Sequence, residues 1–316
     1  MGGAPIPDVG GWFRTATNAV ALPSSPSWGP GTGGFGRRSH DDDLAAAADL
    51  FRGRPTMVLT GAGMSTGSGL PDYRGRDAVP RCPMTYQEFV GSDLSRRRYW
   101  ARSTVGWRWF AGARPNAAHH ALADLGALTP LTGVVTQNVD GLHQAAGSRP
   151  VLDLHGALDR VICLDCRDLV DRHRMQEQLL ALNPRFAGRL DELAVESRTA
   201  PDGDAEVDRT EDFAYPDCPR CGGMLKPDVV FFGENADRAV VERAMSLLDQ
   251  AAALLVLGSS LSVMSGLRFV RRAAQRGIDV LIVNDGATRG DELATLRLHG
   301  RLEDVLSRWA EELRHG

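Results

Sequence analysis

The run "TMVLTGAGMS" (Thr56–Ser65) is a short apolar strand pattern that ends directly on Gly61-Ala62-Gly63. A compact run of this kind, without polar alternation, suits a strand buried on both faces of a sheet. In an open α/β sheet the turn after such a strand is a ligand position. Gly61 and Gly63 allow close backbone approach, and the amides that follow, through Ala62 and Ser65, can face a pyrophosphate. The spacing departs from G-x-G-x-x-G, because Gly63 is followed by Met64-Ser65-Thr66-Gly67, and no Walker lysine follows. Downstream, Asp72-Tyr73-Arg74 adds charged and donor groups that suit a phosphate or ribose. The plain alternative is a surface turn with an Asp–Arg pair.

Further strand patterns lie at 133–138 ("GVVTQN"), 253–260 ("ALLVLGSS") and 279–285 ("DVLIVND"), each ending in small or polar residues. Helical patterns lie between them, at 119–125, 238–250 and 265–276, with another at 41–51 that carries acidic residues in its first turn. This alternation predicts an α/β fold, a Rossmann-like parallel sheet covered by helices. Residues 41–155 and 227–316 are assigned to that domain, with 82–115 as a helical insertion and 156–226 as a smaller zinc-binding module. Residues 1–40, rich in Gly, Pro and Ser, are expected to form a flexible tail. The acidic stretch 196–213 is expected to be an exposed loop.

The chain has 316 residues, 43% of them hydrophobic and 24% charged, with a net charge of -4. That balance points to neither nucleic acid nor an anionic membrane as a partner, and no apolar run is long enough to span a bilayer. Lys226 is the only lysine, a bias toward arginine that a GC-rich genome would produce. No basic region followed by an apolar core opens the chain. Four of five cysteines fall in C-x-x-C pairs, which favours a reducing, cytoplasmic setting and a metal over a disulfide framework.

"TQNVDGLH" (136–143) places Gln137, Asn138 and Asp140 at a strand end, where amides and a carboxylate can recognise a carboxamide and a ribose hydroxyl. A capping Asn and a turn Asp would explain part of this set. Cys163-x-x-Cys166 and Cys218-x-x-Cys221 have zinc-knuckle spacing, and four thiolates leave no open position, so the metal is read as structural. Two redox dithiols are the alternative. With four sulfurs available, His155 is not needed as a ligand; it is either a structural histidine or a residue that does chemistry at a domain junction.

Together these motifs resemble the sirtuins, NAD-dependent protein-lysine deacylases. Gly61–Gly75 is similar to the family's "GAGxSxxSGIPDFR", Thr136–Asp140 to "TQNxD", and His155-Gly156 to "HG". The cysteine pairs, "KPDVVFFGE" (226–234), "GSSLSV" (258–263) and Asn284 also match. The resemblance implies NAD as a consumed cosubstrate and one structural zinc on Cys163, Cys166, Cys218 and Cys221. It implies NAD contacts from Gly61, Ala62, Gly63, Ser65, Asp72, Tyr73, Arg74, Gln137, Asn138 and Asp140. The adenosine end falls to Gly258, Ser259, Ser260, Asn284, Asp285, Gly286 and Leu302. Acylated lysine side chains of proteins are the implied partners, bound as an added strand along Val229, Val230, Phe231, Phe232 and Gly233.

In the implied mechanism the acyl-lysine amide oxygen attacks C1′ of the NAD ribose as nicotinamide leaves. His155 is general base, Asn138 and Asp140 hold the reacting end, and lysine and O-acyl-ADP-ribose are released. Protein mono-ADP-ribosylation uses the same contacts and is the alternative. "DYRG", "RRYWARS" and "CGGMLKPDVVFFGE" resemble the class that contains the mitochondrial sirtuin 4. Tyr99 and Arg102 have the spacing of the pair that holds a carboxylate in desuccinylase-type relatives, which leaves the acyl preference open. The chain is expected to act as a monomer. A dehydrogenase would require a different glycine spacing, and a zinc hydrolase an open metal position.

Overall fold

The computed structural model describes residues 41–72, 83–196 and 210–315. The expected tail at 1–40, Tyr73, Arg74 and most of the acidic stretch lie outside the described residues. In chain order the elements are α1 (Asp41–Phe51), β1 (Thr56–Thr60), α2 (Tyr86–Gly91), α3 (Asp93–Gly112), α4 (Ala117–Leu128) and β2 (Leu131–Thr136). Next come α5 (Leu142–Ala145), β3 (Val151–Asp153), β4 (Gly156–Cys163), β5 (Leu169–Asp171), α6 (Arg172–Leu182), α7 (Pro184–Ala187) and α8 (Leu190–Glu196). The chain closes with β6 (Leu225–Val229), α9 (Arg238–Asp249), β7 (Ala253–Leu257), α10 (Met264–Gln275), β8 (Asp279–Val283), β9 (Leu296–Leu298) and α11 (Leu302–His315).

Six parallel strands form the main sheet in the order β3-β2-β1-β7-β8-β9. The two-residue period of a strand sends alternate side chains to opposite faces. Val58, Val134, Leu255 and Leu281 pack against α1, α4 and α11 on one face. Met57, Leu59, Val135, Leu254 and Ile282 pack against α9 and α10 on the other. Strand β1 is therefore buried at every position. Chain order reverses between β1 and β7, and the carboxyl ends of β1, β2 and β7 meet there, as an α/β ligand site requires.

A second, three-stranded antiparallel sheet, β5-β4-β6, carries the cysteines. It shares one hydrophobic core with α2, α3 and α6, through Phe89, Tyr99, Trp100, Trp107, Val161, Cys163, Met175 and Leu225. The segment expected as a helical insertion is thus helical and built into the cysteine-bearing lobe. Its fastening to α6 is polar. Arg172, with no exposed surface, donates to the carbonyl and hydroxyl oxygens of Ser103 and to Gln176 Oε1, and its guanidinium stacks over Trp107. Burial lowers its pKa to about 10, which leaves it charged at neutral pH. Thr210 and Phe213 correct the expectation of an exposed loop at 196–213: both are buried, and Phe213 packs edge-on against Phe186. Among the described residues no helix is long and apolar enough to cross a membrane.

Candidate active site

The glycine turn is shaped first by packing. Gly61 N donates to Leu257 O at 3.0 Å and Gly63 N to Gly258 O at 2.9 Å, which joins the turn after β1 to the turn after β7. A Cβ on Gly61 would fall 2.8 Å from Gly258 O, and one on Gly63 would fall 2.9 Å from Gly258 Cα. Only glycine fits this backbone-to-backbone approach. Residues 62–64 and 66–68 form 3₁₀ turns. The amides of Gly63, Met64 and Ser65 are already bonded to Gly258, Gly61 and Ala62 carbonyls.

The polar strand end converges on this turn. Asn138 Nδ2 donates to Gly61 O (3.1 Å) and Ser65 Oγ (3.0 Å), and Ser65 Oγ donates to Asp140 Oδ2 (2.6 Å). The amide of Leu142 donates to Asp140 Oδ1. Burial pushes the Asp140 carboxyl above its usual range, against the bonds from Ser65 and Leu142. Gln137 Nε2 bonds Thr60 O and Ser259 Oγ, at 3.2 and 2.8 Å. Behind them stands a buried chain of hydrogen-bonded side chains that the sequence did not reveal. Thr136 Oγ1 accepts from Asn138 N and from Thr60 Oγ1, and Thr60 Oγ1 lies 2.9 Å from His143 Nε2. The ring of His143 packs edge-on against His119 at 4.9 Å.

His155 follows β3 and sits beside Gln137. Its Nδ1 is 3.0 Å from the Gln137 carbonyl oxygen, and its Nε2 is 2.8 Å from Ser265 Oγ. A carbonyl can only accept, so Nδ1 carries the proton, and Nε2 presents its lone pair to the Ser265 hydroxyl. Burial, helped by the charge of Arg268, holds the imidazole below its ordinary pKa although the Gln137 carbonyl works the other way. The ring is thus neutral at pH 7, with a basic nitrogen whose identity is fixed. Ser265 was likewise missed as a site residue: it lies one residue into α10 and was read only as the start of the helical pattern at 265–276.

Gly258 contacts the glycine turn directly, and a Cβ there would lie 2.8 Å from Leu302 Cδ1. Ser260 O accepts from Arg289 N. Asn284 follows β8 and donates to Gly286 O across Asp285. Asp72 is half-buried. The collected donors and acceptors (two asparagine amides, the Asp140 carboxyl, the Ser65 and Ser259 hydroxyls) fit the carboxamide and ribose groups of a dinucleotide.

Val229 lies on β6 opposite Gly156, and Val230 N donates to His155 O at 2.8 Å. A Cβ on Gly156 would fall 1.9 Å from Asp228 O, and its φ is +80°. His155 is therefore locked to the expected peptide segment. That segment is partly paired already: Tyr86 N donates to Phe232 O, Gln87 Nε2 to Gly233 O, and Phe231 N to Glu234 Oε2. Tyr99 is enclosed by the rings of Phe89, Trp100 and Phe231.

The four cysteine sulfurs all lie within 4.8 Å of one another, with Cys163–Cys221 at 3.5 Å and Cys166–Cys218 at 3.7 Å. Those gaps are too long for disulfides. They match a tetrahedron with metal–sulfur bonds of about 2.3 Å, whose edges are near 3.8 Å. Turn residues Arg167 (φ 62°) and Gly222 (φ 74°) close the two knuckles.

A parallel sheet with a dinucleotide-type crevice, a neutral histidine at its rim and a Cys₄ module beyond that histidine defines an NAD-type α/β protein with a structural metal lobe. The Sir2 family pattern matches residues 61–265, and the chain belongs to the Sir2 family. It is 51% identical over 276 residues to NAD-dependent protein deacetylase 1 of Mycobacterium avium (strain 104), covering 87% of this chain and 96% of that protein. It is 52% identical over 275 residues to NAD-dependent protein deacetylase 1 of Streptomyces coelicolor, covering 86% and 90%. A Sir2 structure in complex with an inhibitor, 2′-O-acetyl-ADP-ribose and a deacetylated p53 peptide is similar at a TM-score of 0.66 and 27% identity, covering 86% of this chain and 98% of that one.

Proposed function

We propose that this chain is an NAD-dependent protein-lysine deacylase in which His155 is the general base. The observation that carries the reading is the tautomer of His155, with Nδ1–H on the Gln137 carbonyl and Nε2 left basic, in a residue whose backbone carbonyl accepts from Val230 N of the peptide segment. Membership of the Sir2 family and the deacetylase activity of its relatives support it.

NAD would be held by the turn Gly61–Ser65, by Asp72, Tyr73 and Arg74, and by Gln137, Asn138 and Asp140. Its adenosine end would meet Gly258–Ser260, Asn284–Gly286 and Leu302. When bound, NAD supplies an electrophilic ribose carbon with nicotinamide as leaving group. The chain's residues do the rest. The Asn138 amide and the Asp140 carboxyl, cross-linked by Ser65, orient the reacting end. His155 Nε2 accepts the proton of a ribose hydroxyl, a task for which a neutral imidazole near pH 7 is suited. Val229–Gly233 lines the peptide, and the rigid link from Val230 to His155 sets the acyl-lysine against the base. Zinc on Cys163, Cys166, Cys218 and Cys221 would cross-link the small lobe and take no part in the chemistry.

The sequence at 72–75, 97–103 and 221–234 resembles that of the class that contains the mitochondrial sirtuin 4, and the chain is proposed to belong there. In this reading 41–155 and 227–316 are the nucleotide domain and 156–226 the metal module, and the enzyme is a cytoplasmic monomer.

The test is mass spectrometry of purified protein with NAD and acetyl-, propionyl-, succinyl-, long-acyl- and lipoyl-lysine peptides. Nicotinamide and O-acyl-ADP-ribose are expected with at least one acyl class, and His155→Ala should abolish them. Nicotinamide release with a mass gain on added protein and no acyl loss would instead assign ADP-ribosyl transfer.

A further inference from the structure

Ser265 Oγ lies 2.8 Å from Nε2 of His155, the nitrogen that the Gln137 carbonyl leaves unprotonated. The sequence pattern opens its expected helix at Ser265, where a serine reads as a helix-start residue. It lies in the first turn of α10, whose N-cap is Val263 and makes no side-chain capping bond, so the hydroxyl is not needed to start the helix. Its place is fixed by packing. The next residue, Gly266, is pressed against Gln137, where a Cβ would fall 2.6 Å from Oε1. Leu267, Phe269 and Val270 then bury the helix against the sheet. Gln137 thus touches both the histidine, through its carbonyl, and the helix start, through its side chain, and α10 cannot drift away from the ring.

We propose that Ser265 is the positioning and proton-relay partner of His155, an inference that rests on His155 being the base. A hydroxyl both donates and accepts. While the imidazole is neutral, the hydroxyl donates to Nε2 and holds the ring in its productive tautomer. It gives way when a ribose hydroxyl delivers its proton to Nε2. The resulting Nε2–H then donates to Ser265 Oγ, and as that proton passes to Oγ the original hydroxyl proton passes to water. Neutral imidazole and serine are restored, and one proton has left a buried ring through a half-buried side chain. The charged groups facing the ring support this direction. Arg268 on α10 repels an imidazolium, while the neighbours Gln137 and Val230, on the strand end and on the peptide segment, are neutral.

A bond from a charged donor is roughly twice as strong as its neutral counterpart. Removing the hydroxyl therefore costs the imidazolium more than the imidazole, and the ring becomes a weaker base. The test uses the full chain with ¹⁵N-labelled histidine, first without NAD. In the wild type, the His155 ring is expected as the Nδ1–H tautomer with a hydrogen-bonded Nε2. Ser265→Ala should lower its titration midpoint by about half a unit to one unit, and Ser265→Thr, which keeps the hydroxyl, should restore it. With NAD and an acyl peptide, Ser265→Ala should keep exchange of labelled nicotinamide within about twofold and lose O-acyl-ADP-ribose formation by about tenfold. A merely structural serine would affect both steps alike. An unchanged ring midpoint in a folded Ser265→Ala protein, or a Thr variant as impaired as Ala, overturns the proposal. A wild type that yields no O-acyl-ADP-ribose overturns the deacylase reading, and the ring titration still decides whether Ser265 governs the protonation of His155.

Discussion

Lys226 Nζ lies 3.1 Å from Glu234 Oε2, and that same oxygen accepts the amide of Phe231 at 2.8 Å. The lysine is buried, donates also to the carbonyls of Pro227 and Val229, and stands 4.7 Å from the centre of the Phe231 ring. One ion pair therefore folds the segment 227–234 into the shape that faces His155. Removing one partner leaves the other without its counter-charge, in a buried site for Lys226 and a half-buried one for Glu234. Lys226→Met or Glu234→Gln should each destabilise the protein by about 2–4 kcal/mol. The double variant, with no orphan charge, should recover most of that loss, as read by urea denaturation.

Gly156→Ala should be among the most damaging single-methyl changes. The added carbon would sit 1.9 Å from Asp228 O, in a left-handed conformation that alanine resists. We expect a loss of about 2 kcal/mol or more. Turnover should fall beyond what the fraction folded explains, because β6 and His155 must separate to admit the methyl. Denaturation curves beside turnover per folded molecule would separate the two effects.

His119 and His143 predict an acid-sensitive fold. Burial lowers their pKa values from 6.5 to about 4 and about 3. The unfolded chain takes up these protons first, so the contribution is complete above pH 6.5 and is lost as pH falls toward 4 and 3. Each ring adds a slope of about 1.4 kcal/mol per pH unit within that window. Melting temperature should drop between pH 6.5 and 4, and His143→Gln should flatten that limb. An equally steep limb in the variant would locate the acid sensitivity elsewhere.

Cys163→Ser, or a strong chelator, should release one zinc per chain and loosen the lobe formed by β4, β5, β6 and α6. Metal binding and folding are linked at such sites. Metal analysis with hydrogen exchange should show lost protection around 156–182 and 217–229, with β1, β7 and β8 unaffected.

The strands of the main sheet could be read from the chain because strands buried on both faces need nearly continuous apolar runs. β1, β7 and β8 satisfy that rule at almost every position. The expected strand at 133–138 is shifted, since β2 begins at Leu131 and its last expected residues, Gln137 and Asn138, turn out of the sheet to bond Thr60, Gly61 and Ser65. β6 has no strand signature. Its "LKPDV" carries a lysine, a proline and an aspartate, yet it pairs with β4, and Glu234 offsets the buried ammonium of its lysine. α11 was not anticipated either. Its Trp309 side chain is fully buried and donates to Leu44 O across the helix pair.

By itself the amino-acid sequence determined the local chemistry: glycines where two turns touch, paired cysteines at knuckle spacing, and a histidine followed by the glycine that its turn demands. Those requirements act over a few residues and leave their mark in spacing. Tertiary structure alone decided which nitrogen of His155 is basic, that Ser265 meets it from 110 positions away, and that Arg172 is stacked between α3 and α6. Such contacts depend on where helices settle against the sheet, and that is set by the packing of the whole core, which no single stretch of sequence encodes.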